Sequence, residues 1–240
     1  MVDINLYLDD LNKVLWESLS KIFNINVTYS LEDCYGCIHD GNNITILVPE
    51  GQKPDGASFA HELLHLYLPS KGIRIGNRIK SEFRAIPALF RIFDDSLFEH
   101  ISNCLEHIKM FPIFLSMGYK KEDFLQDYFD SKFTFQKASE IRLYYRTLFT
   151  KKLKNQYVNC FIGMFFSAKA DVNDKNNYDG QLSLQKKTDQ QLFSLLDSFW
   201  TEWMEYDVEQ HREVWEENYV ELVLRFKENL ILWCSDKSIE

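Results

Sequence analysis

The strongest constraint on the fold of this chain is a short apolar segment that carries two histidines and a glutamate. Residues 59–68 read FAHELLHLYL, and apolar side chains on nearly every side are typical of a helix buried in a core. On such a helix, His61 and His65 are about one turn apart and project from the same face. Two imidazoles at this spacing can share one divalent metal ion. The segment therefore predicts a buried helix that presents a metal site.

Glu62 directly follows His61, which places its carboxylate about 100° around the helix axis, at the edge of the metal-binding face. From there it can contact a metal-bound water without binding the metal itself. Zinc lowers the pKa of such a water towards 7, and a nearby carboxylate can take its proton as hydroxide attacks a carbonyl. The pattern HExxH therefore predicts zinc ligands at His61 and His65 and a general base at Glu62. The alternative is a core helix whose histidines form only hydrogen bonds.

A third protein ligand is needed, because two imidazoles leave two corners of a tetrahedral zinc site open and only one should hold water. Residues 94–103 have apolar side chains at helical spacing and several metal-capable side chains. We predict Glu99 as the third ligand and His100 as the alternative, since spacing cannot separate adjacent residues. Asp95 lies one turn before Glu99 and could orient a ligating imidazole through its free N–H.

Three other patterns are weaker. Tyr119 could offer its phenol to a developing oxyanion, although a packed aromatic at a helix end is the simpler interpretation. His107 lies two turns beyond His100 and could line a cleft, but a surface histidine is the simpler interpretation. Cys34 and Cys37 have CxxC spacing, whereas a zinc ribbon needs a second such pair, which the sequence lacks.

Composition limits the class of protein. The chain has 240 residues and a formal net charge of −9, which argues against wrapping of nucleic acid, because that requires clustered Lys and Arg. The N-terminal sequence MVDINLYLDD has acidic residues among its apolar ones, so neither a secretory signal nor a membrane anchor is expected. Five cysteines, an odd number, are typical of reduced intracellular thiols. We expect a cytoplasmic protein of undetermined oligomeric state.

The first part of the chain predicts a helix followed by strands. Apolar residues recur at helical spacing over residues 3–23, which indicates an amphipathic helix. β-branched and aromatic residues flank the turn signal at residues 40–43 and predict two or three short antiparallel strands over residues 26–50. Asp55 or Ser58 is expected to cap the helix that carries the histidines.

Beyond about residue 79 the pattern is helical. The polar segment 171–181 is the best linker candidate, although it could equally be a surface loop. The predicted helices cover about residues 80–92, 94–110, shorter stretches within 121–169, and two long helices at 186–206 and 208–233. The fold class is therefore α+β and mainly α.

The order helix, small sheet, HExxH helix and ligand helix resembles the minimal zincin core of the ImmA/IrrE-type metallopeptidases, and more broadly of gluzincins. The resemblance is specific at His61, Glu62 and His65 and architectural over about residues 1–115. Residues 116–240 would then be a helical C-terminal extension, or part of one continuous domain. The resemblance also implies that the strand at residues 44–48 forms a sheet edge. Its residues Ile46 and Val48 would then bind a peptide substrate as an added strand.

The expected function is zinc-dependent hydrolysis of a peptide bond in an intracellular protein, with Zn²⁺ as cofactor and a protein or peptide as partner. Two alternatives stay open. One is a zinc hydrolase of a small amide or a cell-wall fragment. The other is a non-catalytic interaction protein, of phage or toxin-antitoxin type, that retains a structural metal. Glu62 argues against the latter, because a structural site has no use for a base.

Overall fold

The computed structural model describes residues 2–30, 34–149, 151–209, 219–235 and 237–240. In these ranges the chain is mainly helical with one small sheet, which confirms the predicted α+β class. The strands are β1 (Asn24–Ser30), β2 (Gly36–Asp40) and β3 (Asn43–Pro49). The α-helices are α1 (Lys13–Leu19), α2 (Gly56–Leu64), α3 (Tyr67–Ser70), α4 (Ile75–Arg84), α5 (Pro87–Ile92), α6 (Asp95–Met117), α7 (Phe135–Tyr144), α8 (Asn155–Ala170), α9 (Asp179–Thr188), α10 (Gln190–Glu205) and α11 (Tyr219–Ser235). Short 3₁₀ helices lie at Ile4–Leu6 and Lys121–Asp123.

The chain divides into two compact units. The first unit contains residues 1–73 and 108–129, and the second contains residues 74–107 and 130–240. α6 begins in the second unit and continues without a break into the first. His107 is the last residue of α6 that belongs to the second unit. Residues 74–107, which the sequence-based division placed with the N-terminal part, thus cluster with the C-terminal helices.

The sheet of the first unit is mixed, whereas the sequence predicted an antiparallel one. β3 pairs in parallel with β1, with Ile25 opposite Ile44, and antiparallel with β2, with Asp40 opposite Asn43. Gly41 takes the first central position of the two-residue turn between β2 and β3 with φ +62°. This is the position where a type II′ hairpin turn requires glycine.

β3 lies in the middle of the sheet, which overturns the expectation that residues 44–48 form its edge. Both sides of the β3 backbone pair with neighbouring strands. The side chains of Ile46 and Val48 are fully buried and pack in a core with Phe59 and Leu63 of α2. Ile46 and Val48 are therefore core residues and cannot bind a substrate strand.

The predicted helix over residues 3–23 is wrong in extent, because polar side chains interrupt it. The Asp9 carboxylate accepts hydrogen bonds from two following backbone N–H groups, and the Asn12 amide oxygen accepts one from the Asp9 N–H. Buried Asn12 also donates to the carbonyls of Tyr7 and Gly56. These bonds begin a new helix at α1 and attach the N-terminal segment to the start of α2.

The second unit is built on aromatic packing between helices. Phe199 of α10 stacks on Phe226 of α11 with ring centroids 4.1 Å apart, and the indole N–H of Trp203 donates to the Leu105 carbonyl at 2.9 Å. Part of the predicted helix at 208–233 falls on residues 210–218, which lie outside the described residues. No helix in the described part of the chain is long and apolar enough to cross a membrane.

The polar segment 171–181 is a packed loop inside the second unit. Its Asp171 carboxylate accepts hydrogen bonds from the Tyr178 hydroxyl at 2.6 Å and from the Asn176 amide at 2.7 Å. The Tyr178 hydroxyl in turn accepts the backbone N–H of Lys132 at 2.8 Å. This network holds the segment against its own unit, so it does not link the two units.

Candidate metal centre

α2 positions the histidines and begins at a capped terminus. The Asp55 carboxylate accepts hydrogen bonds from the backbone N–H groups of Ala57 and Ser58 at 3.3 and 3.1 Å, which confirms it as the predicted cap. His65 ends the helix, but its backbone stays helical at φ −61° and ψ −18° and its N–H still donates to the His61 carbonyl. His65 therefore lies one turn after His61, as the motif predicts.

Three histidines come together at the C-terminal part of α2. His61, His65 and His107 each offer a ring nitrogen, and these atoms all lie within 4.8 Å of one another. The rings of His61 and His65 have their centroids 5.0 Å apart. Nitrogens on one tetrahedral zinc ion are about 3.4 Å apart, given a Zn–N distance of about 2.1 Å. Small side-chain rotations would therefore bring all three onto one ion, so the three histidines are close enough to bind a metal.

The chemistry of the donor set suits a metal ion. Burial and, to a smaller extent, the nearby His65 lower the pKa of His61 to about 3, although a hydrogen bond with the Phe124 backbone opposes them. His61 is thus neutral near pH 7, which is the form that binds a metal. Three imidazoles suit zinc, copper, iron or nickel, so the donor set fits zinc without fixing the metal.

Glu62 is the buried carboxylate next to this group. Its side chain is only 8% exposed, and desolvation raises its pKa, although His65 lowers it in part. No side-chain hydrogen bond or ion pair joins Glu62 to another described residue. A carboxylate with a raised pKa is suited to accept and return a proton near neutral pH.

A cavity of about 490 Å³ opens beside Glu62 and lies wholly within the first unit. Its lining brings residues of α2 together with two loop segments. These residues are Asp55, Ser58, His61 and Glu62, the whole of 122–127, and Cys34 and Tyr35 just before β2. The predicted base and one predicted ligand therefore face a space that a small substrate or a peptide segment can enter.

Glu99, the predicted third ligand, is not part of the histidine group. Its side chain is exposed, and it precedes His107 by eight residues, about 12 Å along a helix. His107 takes the third position instead. The sequence interpretation of His107 as a surface residue is therefore wrong: it is half-buried and close to the two motif histidines.

His100 and Asp95 have other partners in the second unit. The His100 imidazole lies 3.1 Å from the Gly163 carbonyl oxygen and 2.9 Å from the Ser167 hydroxyl. Asp95 forms ion pairs with Lys80 and Arg84. Both residues therefore stabilise contacts between helices, and the structure brings neither to His61 and His65.

Tyr119 lies near the start of α2 and is not among the residues that line the cavity. Its hydroxyl is 2.8 Å from both carboxylate oxygens of Asp9 and 3.3 Å from the Gly56 carbonyl. Burial, and then the Asp9 carboxylate, raise the pKa of Tyr119. In this structure the phenol joins the N-terminal segment to α2.

Comparison of the chain with protein-family models, with curated proteins and with solved structures finds no match. The resemblance to ImmA/IrrE-type metallopeptidases therefore stays a prediction from the motif. What can be inferred about function depends on the geometry of His61, His65, His107 and Glu62.

Proposed function

We propose that this chain is a zinc-dependent metallopeptidase of the HExxH type. In this proposal His61, His65 and His107 hold the metal and Glu62 is the general base. The observation that carries it is the convergence of three imidazoles next to a buried carboxylate that lines a cavity. Chance placement of an HExxH sequence gives no reason for a third histidine to approach the first two.

Glu62 and Phe124 would have different roles in the hydrolysis. A bound zinc ion supplies Lewis acidity towards water and towards a substrate carbonyl. Glu62 accepts the proton of the attacking water and then delivers it to the leaving amine, a task that its raised pKa favours. The Phe124 ring packs on His61 with centroids 4.8 Å apart and restricts its rotation. Substrate binds in the cavity that Glu62 lines.

A peptide substrate is supported by the position of the sheet. β2 is an outer strand, and Cys34 and Tyr35, which directly precede it, line the cavity. An extended peptide could pair with the outer edge of β2 and enter the cavity. This replaces the role first expected of Ile46 and Val48. A small amide or cell-wall fragment is the second candidate, because a volume of about 490 Å³ is also typical of small-molecule sites.

The decisive variant is Glu62→Gln, which keeps the shape of the side chain and removes the base. Zinc-loaded wild type, incubated with a peptide library made from a digested proteome, should generate new termini that mass spectrometry detects. Glu62→Gln should bind the same amount of zinc but cleave at least about 100-fold more slowly, as expected for loss of a general base. Equal cleavage by the variant would remove Glu62 from the mechanism. Hydrolysis of small amides alone would favour the second candidate.

A further inference from the structure

The cavity beside Glu62 is strongly negative. Among the twelve described residues that line it, five are carboxylates, and none is Lys or Arg. These five are Asp55, Glu62, Glu122, Asp123 and Asp127. Even without Glu62, the four other carboxylates exceed the charge of one divalent metal ion. The cavity therefore stays acidic even with zinc bound.

The acidic wall, residues 122–127, is held in place by Phe124. Its side chain is buried and contacts the rings of Phe111 and Phe114, each with centroids 5.1 Å apart, as well as His61. Phe124 lies inside this segment, and its neighbours Glu122, Asp123 and Asp127 line the cavity. Glu122, Asp123 and Asp127 thus contribute their charge to the same space as the candidate metal centre.

Glu62 provides the second observation. It is a nine-tenths buried carboxylate that faces the cavity and has no side-chain hydrogen bond or ion pair with another described residue. Four more carboxylates line the same cavity. A cationic group in the cavity would give these side chains an oppositely charged partner. The cavity is therefore suited to bind a positively charged group.

We propose that the substrate of this site presents an arginine or lysine side chain to the acidic wall. Clefts lined by charge of one sign raise the local concentration of the opposite charge, by about 10-fold to 1000-fold. Phe124 and Leu125 also line the cavity and suit the aliphatic stem of a long cationic side chain. This inference depends on the proposed function and names its substrate class.

Binding of three fluorescent peptides to zinc-loaded Glu62→Gln protein tests the inference without turnover. The peptides are identical except for one position, which holds arginine, its neutral isostere citrulline, or glutamate. Fluorescence anisotropy should give a dissociation constant about tenfold lower for the arginine peptide than for the citrulline peptide. The preference should shrink in high salt, because exposed charges are screened. Equal binding of the arginine and citrulline peptides would overturn the inference.

A charge-matched pair of variants shows where the preference arises. Adding Glu122→Gln with Asp123→Asn should reduce the arginine preference to about threefold or less, while Asp10→Asn with Glu17→Gln should leave it unchanged. Asp10 and Glu17 are exposed residues of the same unit and do not line the cavity. If both pairs of substitutions reduced the arginine preference equally, the preference would come from the net charge of the protein, and the inference would be overturned.

The peptide-library digest separates this inference from the proposed function. Zinc-dependent cleavage with no basic residue near the cleaved bond would contradict the cationic substrate and leave the peptidase intact. A clear arginine preference in binding, with no cleavage by wild type, would contradict the peptidase and leave a cation-binding cavity.

Discussion

His61 and Glu62 are adjacent residues whose pKa values move in opposite directions for the same reason. Burial disfavours the charged form of each, so it lowers the pKa of His61 to about 3 and raises the pKa of Glu62. At neutral pH the imidazole is therefore ready to bind a metal and the carboxylate holds a proton more readily than usual. Both properties follow from placing the motif on a buried helix.

The buried His61 makes the stability of the metal-free protein depend on pH. Its pKa is about 3 in the folded state, whereas the ordinary pKa of an exposed histidine is 6.5, so only the unfolded chain takes up this proton between those values. The free energy of unfolding should fall as the pH drops through this window, by about 2 kcal/mol from His61 alone at pH 5. Glu62 acts with the opposite sign, because its raised pKa favours the folded state at acid pH.

Urea denaturation at pH 7 and pH 5, in the presence of a chelator, measures this effect. His61→Gln should remove about 2 kcal/mol of the acid-induced loss, whereas Glu62→Gln should increase the loss. If His61→Gln lost as much free energy of unfolding between pH 7 and pH 5 as wild type, His61 would not be the source of the pH dependence.

Gly56 lies where the N-terminal segment crosses the start of α2. A Cβ at this position would clash with the Asp9 carboxylate, which the Tyr119 hydroxyl also contacts. Gly56→Ala should therefore destabilise the protein by about 1–3 kcal/mol through overpacking. Gly36→Ala is the matched control, because its Cβ would meet only Leu47 at 3.8 Å. Similar melting temperatures for both variants would show that the Asp9 side chain can move away from the new Cβ without loss of stability.

The sequence could place His61, Glu62 and His65 close together because their geometry is local to one helix. The third ligand could not be identified in the same way. Glu99, His100 and His107 all lie on α6, and which of them reaches α2 depends on the rotation and placement of that helix. Residue type could have disfavoured Glu99 but could not separate His107 from His100, since either histidine would complete a site of three imidazoles.

Single elements were easier to predict than their pairing. Apolar periodicity and turn residues located the strands and α2, but the parallel pairing of β1 with β3 depends on contacts between distant segments. The expected long first helix fails at Asp9 and Asn12, whose side chains compete for backbone hydrogen bonds. The long α6 continues through Pro112 to Met117, beyond the predicted end near residue 110.

At the scale of an element, the segment 122–127 depends on a single buried ring. Phe124 is 2% exposed and contacts His61, Phe111 and Phe114. Phe124→Ala should cost about 3–5 kcal/mol of stability, as for other buried aromatics, and should weaken zinc binding because the His61 ring loses its support. Phe129→Ala serves as the control, since Phe129 is 71% exposed in the same unit.

Urea unfolding and competition with a chromophoric zinc chelator measure the two effects of Phe124→Ala. Loss of stability without any loss of zinc affinity would show that Phe124 supports the fold but not the metal centre. An equal effect of Phe129→Ala would contradict the role given to the buried ring.

For the whole molecule, composition and periodicity were sufficient to predict a mainly helical α+β protein. They could not predict the division into units, because residues 74–107 join the C-terminal helices while α6 carries the chain back into the first unit. His107 is far from the motif in sequence, yet its ring nitrogen lies within 4.8 Å of those of the two motif histidines. The candidate metal centre thus depends on the folded chain as well as on the HExxH segment.

Zinc content of purified variants is the most direct test of this centre. Wild type should bind about one zinc ion per chain, as a single site of three imidazoles allows, and His107→Ala should lose most of it. Glu99→Ala should keep the full amount, because its side chain is exposed and outside the histidine group. Full zinc content in folded His107→Ala, together with loss of zinc in Glu99→Ala, would contradict the proposed metal centre.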